Sequence, residues 1–148
     1  MNKLKNESVF QRFLRKSIGY NFHGRCRFKK NHGNEYSEAG VSDLDGHIDG
    51  KYVAIECKMW SGRPSMTQLA FTRSIMKTGG LALFAIYQYE DGEHTLHWVP
   101  GDMNFTYRQK AIWPKSKLIK MDRDPNNPGD GRKVDVFDCS PLSLFLMR

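Results

Sequence analysis

The stretch 42-SDLDGHIDGKYVAIECK-58 decides the fold, because it can be read in two incompatible ways. From Asp45 it nearly spells a calcium loop, with Asp45, His47, Asp49, Gly50 and then Glu56. From Asp43 it spells an acid, a turn, and a strand ending in Glu56-Cys57-Lys58. A calcium loop needs a helix on each side. Upstream, SEAGVS has no apolar periodicity, and downstream VAIECKMW is β-branched, alternating, and soon stopped by Ser61-Gly62-Arg63-Pro64. His47 also stands where an Asp or Asn oxygen is wanted, and Val53 where a polar residue bridges through water. The hairpin therefore wins, with Asp49-Gly50 as its two-residue turn between strands at 41–48 and 52–58.

A hairpin centred there has a chemical consequence. Asp43 and Glu56 lie six residues to either side of the turn, so the pairing brings two carboxylates together. Such a hard oxygen site suits Mg²⁺, with Mn²⁺ as a substitute. Cys57 can add its backbone carbonyl while its thiol points into the core, and Lys58 shares the strand face of Glu56. Each residue has a plainer explanation. Asp43 is also a good strand-end acid making local hydrogen bonds, and Lys58 a good structural ion-pair partner for Glu56. Asp45 and Asp49 read as turn acids.

Working outward, residues 7–18 place Val9, Phe10, Phe13, Leu14 and Ile18 on one helical face, with Asn6 as N-cap. Arg25–Phe28 suggests a short strand. Ser65 caps a helix running to about Lys77, where Gly79-Gly80 ends it. Ser65-x-x-Gln68 is also a capping box. LALFAIYQY (81–89) reads as a strand buried on both faces, and Asp91-Gly92 turns it into another at His94–Val99. His94 and His97, three apart on that strand, point to opposite faces, which argues against a zinc pair. Trp60, Trp98 and Trp113 read as core or rim packing. Residues 100–133 look loop-rich, followed by a strand at Lys133–Asp138 and an apolar tail. The expectation is one α/β domain over 1–148, a mixed sheet flanked by helices, with a core at about 7–99 and an irregular extension over 100–148.

Charge is distributed unevenly. The chain of 148 residues carries +7, yet residues 1–30 hold nine Lys or Arg against the single acid Glu7. Residues 35–56 hold six carboxylates and one lysine, and 108–133 hold eight basic residues and three acids. An acidic patch between basic segments suits a metal site that works on a polyanion, so DNA is the expected partner. Arg12, Arg15, Lys16, Arg25, Arg27, Lys29 and Lys30 are the expected phosphate contacts, with Arg63 beside the strand as a clamp. Three unpatterned cysteines, no apolar run of bilayer length and no apolar signal core suggest an intracellular, cytoplasmic protein with free thiols.

Asp43…Glu56-Cys57-Lys58 resembles the motif of the PD-(D/E)XK nucleases. The longer string 40-GVSDLDGHIDGKYVAIECK…GRPSMTQ…GG-80 is similar to their VRR-NUC (virus-type replication–repair nuclease) branch. There Gly-x-x-Asp, Glu-x-Lys and a following Gln recur in that order. Residues 7–88 carry the likeness; Ser42 replaces the Pro of the family name, and Cys57 fills its tolerant position. The resemblance implies a restriction-endonuclease-like αβββαβ core and a Mg²⁺-dependent DNA endonuclease acting in replication, repair or recombination in a phage setting. It implies that Gln68 orders the site and that Glu7 of the first helix joins the metal ligands. Structure-selective cutting of junctions, flaps or branches is expected, since no major-groove reading module appears, and such small nucleases often act as homodimers. The rival classes are a non-catalytic DNA-binding scaffold and a docking module whose surface is 100–148.

Overall fold

The chain is described here from a computed structural model covering residues 1–31, 41–102 and 113–147. Residues 32–40, with Gly40, and part of the basic 108–133 segment lie outside the described residues. The elements are α1 (Glu7–Asn21), β1 (Cys26–Lys30), β2 (Leu44–Ile48), β3 (Lys51–Met59), α2 (Met66–Lys77), β4 (Leu81–Glu90), β5 (Glu93–Pro100), β6 (Lys115–Asp122), β7 (Lys133–Phe137) and α3 (Ser140–Leu146). Helix, three strands, helix, strand is the core order expected from the sequence. The fold is a single α/β domain with a mixed sheet.

The sheet runs in chain order from β1 to β7. Adjacent pairs are antiparallel except β3 and β4, which are parallel because α2 carries the chain back between them. Among the described residues, both two-residue hairpin turns fall where Asp-Gly stands. Asp49 (φ 51°) with Gly50 (φ 81°), and Asp91 (φ 52°) with Gly92 (φ 79°), adopt the left-handed pair that a two-residue turn requires.

Strand β3 is central and covered on both faces. Val53, Ile55 and Cys57 enter the main core with Phe10, Leu14, Ile18, Leu83, Ala85 and Tyr87, whereas Phe84, Ile86, Val99 and Trp113 form a second cluster on the other face, against Leu69 of α2. Double burial explains why β3 alternates in side-chain direction yet stays buried from Val53 to Cys57. A half-buried strand was expected; the α2 crossover closes its second face.

The described residues from 113 on are more ordered than their proline and glycine content suggests. β6 was not foreseen, and it joins β5 through Thr95, Leu96 and His97. β7 then returns against α1, where Phe137 packs edge-on to Phe10 and Phe13. Polar stitches fix this return. Phe137 N–H donates to the buried Ser17 Oγ (3.0 Å), Asn21 Nδ2 donates to Phe137 O (2.8 Å), and Asn21 Oδ1 accepts from Cys139 N–H (3.0 Å). The sheet thus curls round α1, and α3 follows directly. Among the described residues, no helix is long and apolar enough to cross a membrane, and all three cysteines are free.

One glycine is set by close approach. A Cβ on Gly46 would lie 1.9 Å from the Arg27 carbonyl oxygen and 2.8 Å from Phe28 Cα, both backbone atoms. Gly46→Ala must therefore pry β1 from β2. The expected cost is about 3 kcal/mol, the upper end of overpacking effects, read as a fall in the denaturant midpoint. An unchanged midpoint would contradict this packing.

Candidate active site

The register of the hairpin pairs Leu44 with Ile55, so Asp43 and Glu56 come next, opposite one another at the open end. Asp43 lies just before β2 and is held there through its backbone and side chain. Its carbonyl accepts from Asn31 N–H (2.8 Å), and its Oδ2 accepts from Cys57 N–H (2.8 Å). Asn31 Nδ2 also donates to Ser42 O (2.7 Å) and Asp45 Oδ1 (2.9 Å), while Tyr52 Oη–H donates to Asp45 Oδ2 (2.9 Å). Asp45 is thus a structural acid that ties β1, β2 and β3 together beneath the site. Asn31 and Tyr52 were not anticipated, because their roles depend on the β1–β2 register.

Glu56 is 1% exposed. Its Oε2 accepts from Gln68 Nε2 (3.0 Å), whereas its Oε1 is buried and, among the described residues, has no hydrogen-bond donor. Burial pushes its pKa up to about 9, with the neighbouring Asp43 carboxylate as the next cause and Lys58 opposing both. Asp43 and Glu7 are also raised, each chiefly by desolvation and each eased by Lys58. Glu7 stands in the first turn of α1, half-buried, and feels both Asp43 and Lys58. The expected acids and the lysine therefore converge electrostatically. The Cys57 thiol, by contrast, is fully buried in the apolar core, where desolvation raises it strongly. That burial leaves the backbone carbonyl as the part of Cys57 available for the site.

Gln68 makes the capping contacts read from the sequence and a further contact with Glu56. Its Oε1 accepts from Ser65 N–H (2.9 Å) and its backbone N–H donates to Ser65 Oγ (3.1 Å), completing the capping box. Its Nε2 is thereby aimed at Glu56. Ser65→Ala removes one cap bond and should cost about 1 kcal/mol of stability while leaving turnover unchanged. Gln68→Ala should in addition lower metal affinity or activity about 10- to 100-fold, as losing a ligand-orienting partner does. Melting curves and metal titrations of the two variants separate cap from site.

The candidate phosphate contacts divide. Arg27 and Lys29 share the sheet face of Glu56 and Lys58, since Arg27 pairs with His47 and Lys29 with Asp45, and these in turn with Tyr52 and Ala54. Together with Arg15 they line a cavity of about 390 Å³. Arg15 also donates to Phe28 O (3.1 Å). Lys30 is near enough to Asp43 to lower its pKa. Arg12 and Lys16 lie exposed on α1, the first donating to Ser8 and the second resting over Phe13. Arg63 is exposed in the β3–α2 loop. Arg25 is displaced from the others: its guanidinium forks onto Asp49 at the turn, the opposite end of the hairpin from Asp43. The same pairing removes the calcium-loop alternative, for Asp45, Asp49 and Glu56 face three separate partners.

No family model matches the chain, and neither does any curated protein. Among solved structures the chain is similar to Hjc, a Holliday junction resolvase from the archaeal hyperthermophile Archaeoglobus fulgidus. The identity is 15% and the TM-score 0.49, over 69% of this chain and 92% of that one.

A divalent cation fits the donor set. Two carboxylates meet there, and the buried Glu56 Oε1 lacks the donor that buried oxygens normally have. Among the described residues, no three Asp, Glu, His or Cys side chains already stand in cation-holding geometry. Asp43 and Glu56 would hold the ion with the Cys57 carbonyl and water, and Glu7, which feels Asp43 and Lys58, is the further candidate.

Proposed function

We propose that the chain is a Mg²⁺-dependent DNA endonuclease of the PD-(D/E)XK type, similar to the VRR-NUC branch, and selective for junction, flap or branched DNA. The observation that carries this is the convergence of Asp43 and Glu56 across the β2–β3 hairpin, with Lys58 beside them and one Glu56 oxygen left without a donor. Mn²⁺ would substitute for Mg²⁺, since both prefer oxygen donors. A cation bound there polarises a phosphate oxygen and lowers the pKa of a water. Around it, the chain's own groups have separate tasks. Asp43, held by the Cys57 amide, and Glu56, held by Gln68, are the ligands, with the Cys57 carbonyl and Glu7 completing the set. Lys58 positions the attacking water in line and balances the charge that builds on the phosphate.

Arg15, Arg27, Lys29 and Lys30 hold the backbone next to this centre, while Arg12, Lys16 and Arg63 extend the contact. Arg25 contributes at the hairpin tip once Asp49 exchanges it for a phosphate. Such binding reads charge and shape, so it weakens steeply with salt. A homodimer would place two such centres on two strands.

The deciding experiment incubates the protein with supercoiled plasmid and with a four-way junction, with and without Mg²⁺ or Mn²⁺. Metal-dependent cutting, faster on the junction, is expected. Binding of DNA without cutting under any metal would instead support the non-catalytic scaffold.

A further inference from the structure

Asp43 stands one residue before β2, outside the run of paired residues that begins at Leu44. A ligand at a strand end lacks the ladder that fixes an interior residue, so its backbone needs other partners. Asn31 supplies them. It follows Lys30, the last residue of β1, and its N–H donates to Asp43 O (2.8 Å). Its side-chain Nδ2 donates to Ser42 O (2.7 Å). One residue thus holds the peptide groups before and after the Asp43 Cα. The carboxylate itself is steered from the opposite strand, by Cys57 N–H on Oδ2 (2.8 Å).

The amide of Asn31 is oriented in its turn. Its Nδ2 also donates to Asp45 Oδ1 (2.9 Å), and Asp45 Oδ2 accepts from Tyr52 Oη–H (2.9 Å). A carboxylate only accepts, so it faces the nitrogen of the amide and never its oxygen. The flip that would turn an acceptor toward Ser42 O is thereby blocked. Asp45 pairs with Ala54 and His47 with Tyr52, so Asp45 and Tyr52 are diagonal neighbours on one face of the β2–β3 ladder. The Asp45 side chain is 16% exposed, with Lys29 Nζ 3.9 Å from Oδ1. Both of its oxygens are engaged within the protein. That separates it from the donors Asp43 and Glu56, although it lies two residues from Asp43.

We propose that Asn31, oriented by Asp45 and Tyr52, is the positioning residue of the metal site: it acts through the backbone of Asp43 and sets how tightly a divalent cation is held. The proposal rests on the nuclease reading above for the identity of the site, and metal affinity tests it without DNA. Before a cation arrives, the amide bonds already restrict Asp43 to one backbone conformation, so binding loses less conformational freedom. Partners that orient a ligand are worth about 10- to 100-fold in metal affinity. None of the three residues touches the ion or the substrate; their effect reaches the site through Asp43 alone.

The test titrates the metal-free protein with Mn²⁺ by calorimetry, for wild type, Asn31→Ala, Tyr52→Phe and Ser17→Ala. Junction cutting against Mg²⁺ concentration and thermal melting are measured on the same set. Asn31→Ala should raise the Mn²⁺ Kd, and the Mg²⁺ concentration for half-maximal cutting, about 10- to 100-fold. At saturating Mg²⁺ its cutting should return toward wild type. Tyr52→Phe deletes one hydrogen bond at nearly constant volume and should raise both quantities about 2- to 10-fold. Ser17→Ala, which orphans the buried Phe137 N–H towards the other end of α1 from Glu7, should melt lower and keep the wild-type Kd. A Kd for Asn31→Ala no higher than that of Ser17→Ala would overturn the positioning role. If Asn31→Ala does not fold, Tyr52→Phe decides by the same comparison. The expected affinities without cutting of any DNA would uphold the positioning role and overturn the nuclease reading. A wild type that binds no Mn²⁺ would overturn both.

Discussion

Alanine at Asp43 or at Lys58 is expected to reduce metal-dependent strand cleavage by roughly a thousandfold or more. Stabilising phosphate charge by a cation is worth several kcal/mol, and each 1.36 kcal/mol is tenfold in rate. Asp43→Ala removes one of the two carboxylates that face each other at the hairpin's open end. Lys58→Ala removes the cation that lowers the pKa of Asp43, Glu56 and Glu7 alike. The two should differ in stability. Asp43→Ala removes a carboxylate whose burial opposes folding, so the metal-free variant should melt near or above wild type despite the orphaned Cys57 amide. Without Lys58 the three acids lose their counter-charge, and the variant should melt lower. Nicking assays, gel shifts in Ca²⁺ and thermal melts check these outcomes together. Cleavage that survives in either variant at close to the wild-type rate would remove the proposed centre.

Raising the pH from 5 to 9 is expected to destabilise the metal-free protein and to favour its metal-bound form. Glu56 has its pKa raised from 4.5 to about 9. Between those values the native chain holds a proton that the unfolded chain has released, so stability falls as pH rises. The slope is at most about 1.4 kcal/mol per pH unit. Asp43 and Glu7, raised as well, add to it at the acid end. The stabilisation is complete below the unfolded value and gone above the folded one. A divalent cation replaces that proton, so the Mg²⁺-induced rise in Tm and the cleavage rate should both grow towards pH 9. Glu56→Gln should flatten the metal-free slope and abolish the response to Mg²⁺. Equal slopes in wild type and Glu56→Gln would show that the titrating group lies elsewhere.

Much of this site was legible before any coordinates. Asp49-Gly50 defined a turn, the turn defined a register, and the register placed Asp43 opposite Glu56. The alternation of β3 then put Lys58 on the face of Glu56 and Cys57 in the core. These inferences survive because they depend on local backbone preferences and on the two-residue period of a strand. Gln68 was legible in part: the capping box was written in Ser65-x-x-Gln68, but its second bond needs α2 to lie over β3. Arg25 shows the converse. Its charge suggested a phosphate contact, and only the tertiary structure shows that it stands just before the start of β1, beside the hairpin turn, with its guanidinium forked onto Asp49.

By itself, then, the sequence determined the order of elements, the hairpin with its pair of acids, and the helix caps, all of which act over a few residues. Tertiary structure alone decided that β6 and β7 continue the sheet, that Glu56 is buried deeply enough for desolvation to raise its pKa, that Gly46 must lack a side chain, and that Trp60 stays at the surface while Trp98 and Trp113 do not. The reason is physical. Turns and caps are satisfied by neighbours along the chain, whereas desolvation and close packing are set by segments that arrive from tens of residues away.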